Sequence, residues 1–61
     1  GQTETIPVGA FNIGIIFLTG TGTVGGVDLP VGTPMNIDGK IAATVAVVCG
    51  TPGTARVAYL L

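Results

Sequence analysis

Apart from Tyr59, the ionisable side chains of this 61-residue chain, those that could carry protons in acid–base chemistry, are three carboxylates, Glu4, Asp28 and Asp38, two cations, Lys40 and Arg56, and one thiol, Cys49. There is no histidine. General acid–base or nucleophilic catalysis needs a proton carrier positioned beside a nucleophile, and no such pairing can be read from these positions. A calcium site draws several oxygen ligands from a short segment, whereas the three acids are scattered. A zinc site needs a set of Cys and His ligands, and one cysteine cannot provide it. No catalytic residue, metal ligand or cofactor site is therefore expected, and the chain does not read as an enzyme. Asp38 is accounted for by the Asp38-Gly39 turn signal, and Asp28 reads as a solvated loop residue. Cys49 alternates in phase with Ile41, Ala43, Val45 and Val47. A reactive thiol sits in an electropositive, accessible setting, and the nearest cation is Arg56 beyond a turn. A small buried hydrophobe is the expected role for Cys49. Lys40 and Arg56 could pair with Asp38 or Glu4, but exposed pairs contribute only about 0–1 kcal/mol.

Two short motifs carry a mechanism worth testing. Gly20-Thr21-Gly22-Thr23-Val24-Gly25 matches the GxGxxG pattern of dinucleotide sites, which requires a helix whose N-terminus receives the pyrophosphate. Val27-Asp28-Leu29-Pro30 follows instead, so a Gly/Thr-rich β-turn segment is expected. Gly1-Gln2-Thr3-Glu4-Thr5 would fit an N-myristoylation signal behind a removed methionine. The ordinary reading is a polar N-terminal arm over about residues 1–5.

Charge and hydropathy exclude further classes. A net charge of −1 with two basic residues leaves no basic patch for nucleic acid. The longest apolar stretches fall well short of the ~20 residues of a membrane-spanning helix, so no membrane partner is expected. The first residues also lack the charged start and apolar core of a secretory signal.

The elements that would position any site are strands. β-formers alternate with Gly, Pro and Asp, and no segment has helical spacing. Strands are expected near 2–6, 10–18, 22–29, 33–38, 40–49 and 54–61, forming one all-β domain over residues 1–61, a small antiparallel β-sandwich or barrel of about six short strands. Gly25-Gly26 should bend or bulge the third strand. Asp38-Gly39 should form a two-residue hairpin, and Thr51-Pro52-Gly53 the last turn. Ile6-Pro7-Val8-Gly9 echoes Leu29-Pro30-Val31-Gly32. Each fits a type I turn with Pro at its second position and Gly at its fourth, predicting two similar corners.

The apolar pattern carries the functional expectation. Ile15 to Leu18 are consecutive apolar residues, and Ile41 to Cys49 contain a single mildly polar one, Thr44. A strand covered on one face alternates, while a strand covered on both reads as a continuous apolar run. A chain of this size buries only about 60% of its unfolded surface, and small domains usually add disulfides, metal or oligomerisation. With one cysteine and no metal set, oligomerisation remains. The expected core and subunit interface comprise Ile13, Ile15, Ile16, Phe17 and Leu18 from one strand. Ile41, Val45, Val47 and Val48 come from a second, and Val57, Tyr59 and Leu61 from the last.

Three segments taken in order, Ile6-Pro7-Val8-Gly9-Ala10, the run from Gly20 to Thr33, and Gly53-Thr54-Ala55-Arg56-Val57-Ala58-Tyr59-Leu60-Leu61, resemble small β-domains in virion proteins of tailed bacteriophages. In that group a Pro-x-Gly turn opens a strand, a Gly-Thr-x-Thr-Val-x-Gly-Val hairpin follows, and a strand like Ala-Arg-Val-x-Tyr closes the domain. The resemblance spans nearly the whole chain and rests on turn residues and alternation. It implies a capsid decoration or cement protein, a head-fibre part or a tail-tip module, commonly a homotrimer, made in the host cytoplasm and placed on the capsid surface against the major capsid protein. This chain is shorter than many decoration proteins and shows no added receptor-binding segment, which favours cementing over adhesion. A fibre or tail-tip module for host attachment, and a self-assembling β-fibril or shell subunit, are the alternative roles.

Overall fold

A computed structural model describes residues 2–61; Gly1, on which the acylation motif depends, lies outside the described residues. The chain forms a curled antiparallel sheet, a half-barrel, from β1 (Thr3–Ile6), β2 (Phe11–Val24), β3 (Val27–Asp28), β4 (Met35–Ile37) and β5 (Val45–Leu60). Among the described residues there is no helix. β2 and β5 pair along their length, from Phe11 opposite Leu60 to Val24 opposite Val47. β1 adds to β5 over Val45–Val48, while β4 and β3 add to the other side of β2 at its two ends. Residues 3–5, read both as part of a strand near 2–6 and as a polar arm, form with Ile6 the edge strand β1 of the chain's own sheet.

Length forces the curl. A straight strand of the 14 residues of β2 would span about 45 Å at ~3.4 Å per residue, but the longest dimension of the molecule is 29 Å. Register irregularities between Phe11 and Gly14, Phe17 and Thr19, and Gly20 and Gly22 accommodate the bending. The first two insert an extra residue into β2, and Asn12 beside the first has φ 50°. The third leaves Gly50, Thr51 and Pro52 of β5 opposite Thr21 alone. Such bulges bend a strand and raise its twist. Inside the curve the fully buried ring of Phe17 lies against Gly22. A Cβ at Gly22 would be driven into that ring and would stand 2.7 Å from the Val48 carbonyl oxygen.

The curl lets a single sheet cover its own inner face. Ile13, Ile15 and Phe17 alternate inward from β2 and join Ile6, Ala10, Val24, Leu29 and Val47 in the buried core. Met35, Ile37, Ile41, Val45, Cys49, Ala55, Val57 and Tyr59 pack half-buried around it. Both echoed corners are present. Ala10 N–H donates to Pro7 O at 3.3 Å and Thr33 N–H to Pro30 O at 3.2 Å. Gly9 and Gly32 have φ of 90° and 81°. Proline thus stands first and glycine third, at the position where a type II turn needs positive φ, instead of second and fourth in a type I turn. Ile6 and Leu29, just ahead of each proline, anchor the corners in the core.

Four other expectations are revised. The strands expected at 10–18 and 22–29 are one strand to Val24, because β5 offers a partner along the whole run. Gly25-Gly26 is a chain reversal instead of a bend, with φ of 58° and 83°, the two positive values that a type I′ turn requires. Asp38-Gly39 forms no hairpin. Ile41 N–H donates to Ala10 O at 3.1 Å and Ile41 O accepts from Gly9 N–H at 3.0 Å, so this backbone is committed to the first corner and β5 begins only at Val45. Thr51-Pro52-Gly53, with a cis Thr51–Pro52 peptide, bulges β5 without reversing it. The result is five strands, two of them long, where six short ones were expected.

Truncating Phe17 to Ala should lower stability by about 3–5 kcal/mol, and Gly22→Ala, which overfills the same contact, by about 1–3 kcal/mol. Val31→Ala, at an exposed position, should stay within about 0.5 kcal/mol. Urea titrations followed by circular dichroism would measure all three. Asn12→Val should cost about 1–3 kcal/mol, since a β-branched residue is strained at positive φ, and Asn12→Gly should not.

Candidate interaction surface

The chemistry-bearing side chains do not converge. Glu4 is exposed on β1 opposite Val47, and Asp28 is exposed on β3 opposite Thr23. Asp38 and Lys40 lie exposed in the segment between β4 and β5. The Lys40 ammonium sits 5.9 Å from the centroid of the Phe11 ring, a cation–π contact worth about 0.5–1 kcal/mol at an exposed site. Arg56 is exposed on the outer face opposite Ile16. Cys49 is half-buried against the core. Among the described residues no group of three or more His, Cys, Asp or Glu side chains is placed to hold a metal ion. The Gly20–Gly25 run was expected as a turn. It crosses the bend inside β2, with only Gly25 in the turn, and a strand follows where a nucleotide site would need a helix.

What the fold leaves open is apolar surface. Of the residues expected in a core or interface, Ile13, Ile15, Phe17 and Val47 are fully enclosed, and Ile41, Val45, Val57 and Tyr59 are half-buried around them. Ile16 is half-buried on the outer face. Leu18, Val48 and Leu61 are 47%, 40% and 80% exposed. Both-face coverage is thus not achieved within one chain: the curl closes the inner face and leaves the outer one to solvent. Leu18 follows the inward Phe17 and so falls by alternation on the outer face with Ile16. On the same outer surface Gly14 faces Ala58 across β2 and β5. Their lack of bulk leaves a shallow depression of ≈ 240 Å³ walled by Ile16, Pro34, Asn36 and Arg56.

A second open feature lies where the half-barrel fails to close. β1 covers the far side of β5 only at Val45–Val48. Beyond it a groove of ≈ 250 Å³ runs between β1 and the second half of β5, with Val47, Cys49, Ala55 and Val57 in its walls and Gln2, Glu4 and Thr54 among its polar atoms.

Ile6, Ala10, Val24 and Leu29 are buried but were absent from the expected set. Ile6, Ala10 and Leu29 flank the echoed Pro-Val-Gly corners and Val24 flanks the diglycine turn. Apolar residues hinged to reversals at both ends of a strand were the available signal.

Against protein-family models, curated proteins and solved structures, the chain matches none.

The two faces of β2 differ in what truncation should do. Ile15→Ala should cost about 2–5 kcal/mol, whereas Ile16→Ala on the open face should cost about 1 kcal/mol or less. Equal losses in denaturant titrations of the isolated chain would mean that the outer face is covered in solution.

Proposed function

We propose that this chain is a non-enzymatic virion structural protein, a capsid decoration or cement subunit that oligomerises and stabilises a phage head by docking on the major capsid protein. The observation that carries this reading is the uncovered outer face, with Leu18 and Leu60 47% and 53% exposed beside the Gly14/Ala58 depression. Such apolar surface marks an interaction site on a small protein. With five charged residues in 61, the chain has few groups to desolvate at an interface, and unpaired buried charge is what makes docking costly. The mechanism is linkage. A ligand that binds only the assembled state stabilises it by RT ln(1 + [L]/Kd), or about 2.7 kcal/mol at a hundredfold excess over Kd. A subunit seated across a junction of capsid proteins would add that free energy to each contact strained by packaged DNA. The turn-and-strand resemblance to tailed-phage virion domains supplies the identity of the partner.

A self-assembling fibril or shell subunit is the second reading. It is favoured by the second half of β5, where Arg56 is the only charged side chain from Thr54 to Leu60 and few charges guard the edge.

Cosedimentation with expanded tailed-phage heads stripped of their decoration proteins tests the first reading. The chain should pellet with the shells and raise their melting temperature, and Leu18→Lys/Leu60→Lys should weaken binding tenfold or more, on the order of 1.4 kcal/mol. Failure to bind while forming long filaments visible in electron micrographs would replace cementing with polymerisation.

A further inference from the structure

We infer that the open edge of β5, from Thr54 to Leu60, is a self-recognition site that pairs antiparallel with the same edge of a second copy about a two-fold axis through Val57. The inference rests on that part of the reading above which makes the chain an oligomer, and it names the contact. Among the described residues, this half of β5 has β2 as its only sheet partner.

The direction of its backbone groups follows from β2. The Phe17 carbonyl accepts from Gly32 N–H at 2.9 Å, on the side of β2 away from β5. In an antiparallel ladder the N–H and C=O of one residue point to the same side and alternate with those of the next. Phe17 and Ile15 therefore turn away from their partners Ala55 and Val57, and those partners turn their own N–H and C=O outward. Ala55, Val57 and, two residues on, Tyr59 present these groups at the free edge.

Only registers that join outward residues to outward residues can form hydrogen bonds. Centred on Arg56, the pairing sets two guanidinium groups directly opposite each other, which is destabilising. Centred on Val57, it sets Ala55 against Tyr59 and Arg56 against Ala58, so that a small side chain meets each large one. The same register carries Leu61, 80% exposed in the single chain, to a place beside Gly53 of the other copy, on the face of β5 that carries Ala55 and Val57. That is the mouth of the groove walled by Val47, Cys49, Ala55 and Val57. An exposed leucine and an open apolar groove thus meet in this register, which favours a second copy over an unrelated strand as the occupant. A seven-residue edge contact is about 24 Å long and buries on the order of 1,000 Å² in total, at the small end of specific interfaces. The dimer should therefore depend on concentration.

Light scattering of the full chain across a concentration series should show a mass moving from 6.0 kDa to twice that value. Val57→Pro removes an outward N–H without breaking a bond to β2, and should weaken the dimer at least about tenfold with an unchanged circular dichroism spectrum. A disulfide test does not depend on that variant folding. In the Cys49→Ser background, Val57→Cys should cross-link under mild oxidation, because paired Cα atoms at the axis are ~5.5 Å apart. Ala58→Cys should not, since those residues are diagonal neighbours about 7–8 Å apart. A stable trimer without Val57→Cys cross-linking overturns the edge contact while leaving the assembly reading intact. Efficient Ala58→Cys cross-linking overturns the register, and a monomer at every concentration overturns both the contact and self-association.

Discussion

The packing of the Phe17 ring on the backbone of Gly22 is the contact on which the rest of this structure depends. β2 and β5 are too long to lie straight within the molecule, and a bent two-stranded ribbon is stable only when the inside of its bend is filled. Phe17 is the largest fully buried side chain, and the absence of a Cβ at Gly22 lets the strand close onto it. Around that point one sheet does the work usually divided between two layers. Val24 and Val47 meet at one end of the ribbon, Ile13 and Ile15 line the other, and the Pro-Val-Gly corners bring Ile6 and Leu29 in from the sides.

Closing the inner face in this way has a consequence for function. With no second layer and no helix among the described residues, the outer surface of the same strands stays exposed, and part of the β5 edge stays unpaired. The device that permits a 61-residue chain to enclose a core thus produces the apolar surface available for docking. The two open features call for different partners. The outer face presents side chains and suits a broad partner surface, while the β5 edge presents backbone groups and suits another strand.

Much of this was legible in the residues, and the failures share one cause. The apolar run marked Ile13 and Ile15 to Leu18 as core or interface without separating the inward Ile13, Ile15 and Phe17 from the outward Ile16 and Leu18, and the doubled apolar-Pro-Val-Gly pattern identified two corners, although the turn type was misassigned. Asp38-Gly39 and Thr51-Pro52-Gly53 carry strong local turn signals, yet neither reverses the chain into a hairpin. In the first case the Ile41 backbone bonds to Gly9 and Ala10, some thirty positions earlier. In the second, β2 continues past the irregularity and resumes pairing on its far side. Turn propensity is a local preference of about a kilocalorie, which long-range hydrogen bonding and burial override.

The residue pattern alone determined that the chain is all-β, because alternation and composition do not depend on how distant segments meet. It also determined that more apolar surface exists than one face can hide. Only the tertiary structure decided which surface that is. The curl, set by Phe17 against Gly22 and by three register shifts, assigns Ile15 to the core and Ile16 to the outside, and it leaves Thr54–Leu60 on an open edge. A strand's two faces are equivalent until a bend makes one of them concave.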